Sequence, residues 1–498
     1  MIERGGIAEI LKGSDEKVLM DLPAMLPELS QTEIFDLLDL IESPEFFQHR
    51  LPLRIQLYGK IAQHAPQHSL KLIALLRLLR RLGARQDVPD LGEIPEETGD
   101  FADYLARRAY ELCEDENLAF AVEALAFATS AYRSGDVVGM DSAAEGGIEA
   151  LSKIGAWENP PLELDLESLA LAEAGHELTF IAANAAFRAG DVARARDIAE
   201  KWSGNVNSWE AILGPLARQR YQYYQLVGRL DFEVGLYEPA IEAYAKALEL
   251  APTPYRRAFV WFNMAQIEHH LGHIDASWEY ASKAIDATLS SPYPQAAATW
   301  IEWLALDADS PSKLSEIENM RSRFRKTGAV ETNRVTRAMT RLYRVLATLR
   351  STEDPSGIVP ILDELIRELE GAGSWPNMVT ILATKAVVAG RLDDRDAMDD
   401  AIAKARTLIS TKLAPEARPP HEFLLESAHA LALRNVGAYD EAFAMLFERA
   451  LEARMKYPGA VGPDEKTALE AIYYLGALAG HDPETIEKRL RDILNSVR

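Results

Sequence analysis

Apolar residues recur at steps of three and four along nearly the whole chain, and no strict apolar–polar alternation is sustained. That periodicity predicts helix through most of the sequence and no sheet. Near the start, Ser30-Gln31-Thr32-Glu33 reads as a capping box. There the serine hydroxyl and the glutamate carboxylate each accept the other residue's free backbone N–H, ahead of the apolar face Ile34, Phe35, Leu37, Leu38 and Ile41. A second helix is expected to open at Pro52 and to bury Leu53, Ile55, Leu57, Tyr58 and Ile61. A third is expected from about Ser69 to Leu82, with Leu72, Leu75, Leu76 and Leu79 on one side. Residues 1–20 read as peripheral. Residues 83–99, where Pro89, Gly92, Pro95 and Gly99 sit among acidic side chains, read as a linker, and Phe101 to Arg133 as one Ala-rich helical stretch.

Beyond that point glycine corners punctuate the helices. The clearest lies in the stretch Tyr221 to Pro254. Gly228 and Ala240 are small, so two helices can touch there, and Tyr224, Val227, Tyr244 and Leu248 fill the space around the contact. Gly235 can adopt the left-handed backbone that ends the first helix, and Pro252, lacking an amide proton, stops the second. Similar junctions occur at Gly135, Gly190, Gly272, Gly390, Gly437 and Gly480, with a weaker one at Gly328. Gly437-Ala438-Tyr439-Asp440-Glu441-Ala442 repeats the corner best, although Ala450-Leu451 then falls one residue late. Spacings run from 37 residues (Gly235 to Gly272) to 118 (Gly272 to Gly390), and the long gap is expected to hold two or three further hairpins. Asn159-Pro160-Pro161, Ser291 to Pro294, Asp354 to Gly357 and Pro415 to Pro420 read as loops.

Across 221–254 the small residue, the turn glycine, the aromatic two positions later, then Ala-Ile, Tyr, Ala-Leu and Pro fall in one register. This register resembles the tetratricopeptide repeat, a helical hairpin of ~34 residues that stacks into solenoids. The resemblance implies an all-α fold: a right-handed, TPR-like solenoid of helical hairpins with a divergent helical region at the N-terminus. On that reading residues 1–85 form an N-terminal helical region or cap and 86–100 a linker. Residues 101–290 form a repeat array, 295–350 divergent hairpins and 358–498 a C-terminal array.

Charge narrows the partners. The 498-residue chain has 53 basic and 77 acidic side chains, a net charge of −24, which on average repels nucleic acid and anionic membrane. The N-terminal ten residues lack the basic-then-apolar order of a signal peptide, and no uncharged apolar run reaches ~18 residues. A cytoplasmic protein without membrane insertion is expected. The single cysteine, Cys113, can form no internal disulfide and reads as a buried structural thiol.

Catalytic constellations do not emerge. Gly59-Lys60 lacks the upstream glycine of a phosphate loop, and Gly371-Ala372-Gly373 lacks a third glycine and precedes Pro376, so it reads as a loop. There is no Gly-x-Ser-x-Gly elbow, and His176-Glu177 and His421-Glu422 lack the second histidine of a metal face. Glu268, His269, His270 and His273 surround Gly272; a solvated helix C-terminus explains them better than metal ligation. His64 and His68 flank Pro66 and make a weaker pair still. No catalytic, cofactor or metal residue is assigned, and no enzyme is expected.

Two surfaces remain as partner sites. In the repeat family, positions 2, 5, 9 and 12 of each first helix line the concave face, while the fourth position, here Tyr224 and Trp261, packs in the core. Trp278, Trp300 and Trp303 also read as packing. The resemblance therefore assigns Gln222, Gln225 and Arg229, then Phe259, Phe262, Asn263 and Gln266, to a groove that takes a peptide's backbone and apolar side chains. The family's carboxylate clamp, a lysine at position 5 with asparagines at 6 and 9, is matched only at Asn263. The second surface is the stripe Arg334, Arg337, Arg341 and Arg344, spaced 3, 4 and 3. It reads either as a docking strip for an acidic, phosphorylated or nucleic-acid partner or as a face neutralised by Asp363, Glu364, Glu368 and Glu370. The leading function is a scaffold or adaptor holding a partner's peptide or helix. The alternatives are a ligand-responsive regulator that closes about hinges at 291–294 and 354–357, and phospho-partner or nucleic-acid binding through the stripe. Stacking at the solenoid ends would allow a homodimer.

Overall fold

The computed structural model describes residues 21–42, 51–82, 91–161 except 92 and 96, 164–251 except 215, 253–445, and 475–488 except 477. All regular structure among the described residues is helical. Three helices, α1 (Gln31–Glu42), α2 (Leu51–His64) and α3 (His68–Leu79), precede the array. The array runs through α4 (Thr98–Leu112), α5 (Glu116–Ser134), α6 (Val137–Ser152), α7 (Leu166–Ala189), α8 (Val192–Leu213), α9 (Ala217–Glu233) and α10 (Tyr237–Leu250). It continues with α11 (Pro254–His270), α12 (Ile274–Leu289), α13 (Ala296–Leu304), α14 (Pro311–Thr327), α15 (Arg334–Ser351) and α16 (Val359–Ala372). The last described hairpins are built from α17 (Trp375–Arg391), α18 (Arg395–Lys412), α19 (Arg418–Asn435) and α20 (Tyr439–Met445). The fold is a TPR-like helical-hairpin solenoid with a divergent helical N-terminal region.

The hairpin of α9 and α10 is built as its residues require. Gly235 turns at φ +76°. A Cβ on Gly228 would come within 2.6 Å of the Tyr244 ring, so the glycine is what lets that buried aromatic lie against α9. The capping box also forms: the Ser30 backbone N–H donates to Glu33 at 2.8 Å.

Several local expectations are corrected. Gly390 is not a corner: it lies inside α17, and the turn is made at Asp393 with φ 57°. Gly390 instead lets the backbone of Ala432 on α19 approach closely. Gly373, expected in a loop, is a corner at φ +72° that ends α16. The long gap thus holds two hairpins, α13–α14 and α15–α16. The stretch 101–133 is broken between α4 and α5, without glycine or proline, by Asp115, whose carboxylate accepts the backbone N–H groups of Asn117 and Leu118. Pro419 and Pro420 are not loop residues: they sit in the first turn of α19, where no N–H donor is needed. Helix α3 stops at Leu79 and is buried on all sides, because α2, α4 and α7 all pack on it. Pro252, Ala450 and Leu451 lie outside the described residues.

One apolar core runs from Leu22 through Ala185 and takes in Trp209, so α1–α3 share it with α4–α7. A polar chain crosses the same junction. Glu42 accepts from Arg54 at 2.5 Å, Tyr58 at 2.7 Å and also from Arg81; Arg77 reaches Glu173 on α7 at 2.8 Å, and Arg80 pairs with Glu173 as well. Burial alone would raise the Glu173 carboxyl, but Arg80, Arg77 and Arg218 outweigh it and bring it down to about 2.

The array winds back onto itself. The Asn333 amide donates to the Tyr132 carbonyl at 3.0 Å across 201 residues, and His421 Nε2 meets Glu233 at 2.9 Å across 188. Ala414 N–H donates to the Gly190 carbonyl at 3.0 Å. The C-terminal hairpins therefore seat on the corners of α5–α6, α7–α8 and α9–α10.

Candidate partner-binding groove

Helices α9 and α11 are the first helices of consecutive hairpins and touch each other. Of the seven groove residues, Gln225, Arg229, Asn263 and Gln266 are half-buried and retain an open side. Gln222 is 2% exposed and sits inside the wall. Phe262 is 8% exposed, stacked on Trp300 at 4.7 Å and edge-on to Trp303 at 5.2 Å. Phe259 meets Trp300 at 5.0 Å. Phe262 thus forms core with α13 rather than an open pocket, and Phe259 packs half-buried against the same core. The reason is the aromatic content of the next hairpin: tryptophans arriving on α13 bury more apolar surface against Phe262 than water contact would leave.

Unmarked by the family positions, further polar groups stand beside Arg229. Its Nη1 donates to the Asn184 Oδ1 on α7 at 3.2 Å, and its guanidinium lies over the Phe187 ring at 4.4 Å. Arg188 lies over the Tyr132 ring, also at 4.4 Å. A repeated signal was present: Tyr132-Arg133-Ser134-Gly135 and Phe187-Arg188-Ala189-Gly190 place an aromatic–arginine pair two residues before a corner. Burial pushes the Arg229 proton affinity down, and the Arg188 charge adds to the effect. Burial likewise lowers Arg133, and it takes Arg218 down to about 10 with help from Arg80. In a chain of net charge −24, these partly covered cations gather on and beside the first helices of the array.

The arginine stripe is largely neutralised. Arg337 pairs with Glu368, and Arg341 with Glu364 at 2.6 Å and Glu368 at 3.6 Å. Arg344 pairs with Glu302 at 3.1 Å, which also holds Arg321 at 2.5 Å. Asp363 turns instead to Lys385 at 2.6 Å. Arg334 is exposed and, with Arg337, Arg341, Arg367 and the two glutamates, rims an open cleft of about 460 Å³.

The histidines are accounted for locally. His273 meets Glu268 at 2.8 Å and His269 meets Asp307 at 3.0 Å, while His270 packs on Phe232 and Tyr237. Burial takes His270 down to about 4. Among the described residues no three His, Cys, Asp or Glu side chains converge as metal ligands. Burial, then Glu167, raises the Cys113 thiol to about 12, which leaves it protonated and unreactive at neutral pH. No helix among the described residues is long and apolar enough to cross a membrane.

Residues 221–254 match the family model described as tetratricopeptide repeat. A crystal structure of a Rap protein complexed with competence and sporulation factor is similar to this chain, with a TM-score of 0.51 and 13% identity over 82% of this chain and 98% of that one. No curated protein matches by sequence. The chain therefore carries a tetratricopeptide repeat at 221–254 within a solenoid of that type.

Proposed function

We propose that this protein is a non-enzymatic interaction scaffold that holds an extended segment of a partner protein against the first helices of its central hairpins. The observation that carries the reading is the half-open row Gln225, Arg229, Asn263 and Gln266 on adjacent helices. Amide side chains at that spacing can bond a guest's backbone while the wall beneath stays rigid. The similar Rap structure, complexed with competence and sporulation factor, supports an interaction role for a solenoid of this type. The test is affinity capture from the native cell with wild type and with a Gln225→Ala, Asn263→Ala double variant. Loss of two hydrogen bonds should weaken capture of a specific partner roughly tenfold or more. An unchanged captured set from a folded variant removes the groove as the recognition surface.

The turn-to-turn seam favours a second reading, that of a regulator which changes shape with its guest. Asn333, Ala414 and His421 join the turns through a few polar bonds, so a guest that touches both turns would shift their spacing.

A further inference from the structure

Beside the groove residues stand two cations that make no ion-pair contact among the described residues, and this points to the guest's chemistry. Arg188 makes no ion pair or hydrogen bond among the described residues, and Arg229 makes only the bond to Asn184. Both guanidinium groups are nevertheless held in place, each shelved on an aromatic ring 4.4 Å away. The charges of Glu331 and Glu233 reach Arg188 and Arg229, but neither carboxylate touches them: Glu233 meets His421 at 2.9 Å, and Glu331 accepts the Asn333 backbone N–H at 2.8 Å. A half-buried cation loses hydration, and unless a carboxylate or phosphate replaces the lost water it is left at a cost. Arginine on a ring keeps its planar donor fork pointed sideways, the geometry that takes a carboxylate through paired N–H···O bonds.

Resting on the scaffold reading above, we propose that the guest is an acidic segment, one of whose carboxylates is taken between Arg188 and Arg229 beside Asn184. The protein's negative surface then repels most acidic chains, and only one that reaches this arginine pair finds compensation. This arrangement differs from the arginine stripe, whose charges on α15 are mostly met by Glu364, Glu368 and Glu302.

The test uses the full-length chain and two fluorescein-labelled decapeptides built on Gly, Ser and Ala, one carrying four aspartates and the other four lysines, followed by anisotropy at low salt. The aspartate peptide should bind and the lysine peptide should not. Arg188→Gln with Arg229→Gln should weaken binding by roughly tenfold or more, and the double lysine variant should restore part of it, with unchanged thermal melts as the folding control. Arg334→Gln with Arg367→Gln, on the cleft of α15 and α16, should leave binding unchanged. If the aspartate peptide fails to bind, or if loss follows the Arg334–Arg367 pair and not the Arg188–Arg229 pair, the acidic subsite is overturned. Loss in the Gln225→Ala, Asn263→Ala variant with no response to Arg188 and Arg229 would overturn the subsite alone and leave the groove standing.

Discussion

The close contact at Gly390 makes a prediction whose sign can be worked out. A Cβ there would lie 2.6 Å from the carbonyl oxygen of Ala432 and 2.9 Å from its Cα. These are backbone atoms, so no side chain can rotate away. Ordinary contact begins near 3.4 Å, which means that α17 and α19 must part by about 0.8 Å (3.4 less 2.6). Both helices are fixed in one core with Leu425, Leu433, Ala386 and Val388. Overpacking of this kind costs about 1–3 kcal/mol, and the better helix propensity of alanine returns at most about 1 kcal/mol. Gly390→Ala should therefore destabilise the hairpins of α17–α19 by up to about 2 kcal/mol. Gly146, on α6, is the internal control: its added Cβ would meet only the Phe120 ring at 3.5 Å. Gly146→Ala should stabilise by about 0.5–1 kcal/mol. Because hairpins in an array can open separately, the readout is amide hydrogen exchange resolved to residues 375–435 and 116–152. Equal signs for the two variants would refute the argument that backbone contact is what keeps position 390 free of a side chain.

Acid should act first on the junction between α1–α3 and α7. His176 accepts the Trp202 indole N–H at 3.1 Å, and burial takes it from 6.5 down to about 3. The unfolded chain protonates this group first, so its contribution is complete above pH 6.5 and declines as pH falls toward 3. The depressed Glu173 contributes above its usual value of 4.5 and is lost as pH falls toward about 2. Tryptophan emission from Trp157, Trp202 and Trp209 followed against pH should begin to change below 6.5, and His176→Gln should remove the upper limb and leave the lower one. Independence of pH down to 4.5 would mean that His176 is not held neutral. At the seam, Asn333→Ala removes the bond to Tyr132 and should loosen the superhelix, raising the radius measured by solution scattering; an unchanged radius would show that the turns are held by other contacts.

The helices, the hairpin at Gly235 and most corners were legible in the sequence because they depend on neighbours three to sixteen residues away. Gly235 needs a left-handed backbone, Gly228 must face Tyr244, and a capping box needs only Ser30 and Glu33. Asp115 and Asp393 show the limit: a corner between helices can be built with an aspartate, as the cap that starts the next helix or in the left-handed turn, and the spacing rules look for glycine. The site was decided elsewhere. Family positions named Gln222 and Phe262 as open, but packing covered Gln222 and placed Phe262 against Trp300 and Trp303. Likewise, the neutralisation of Arg337 by Glu368 and the absence of an ion-pair contact at Arg188 among the described residues depend on which helix faces which after the array has turned. Periodicity determines which side of a helix is apolar; only the superhelix decides what stands opposite, and charge compensation acts across that space rather than along the chain.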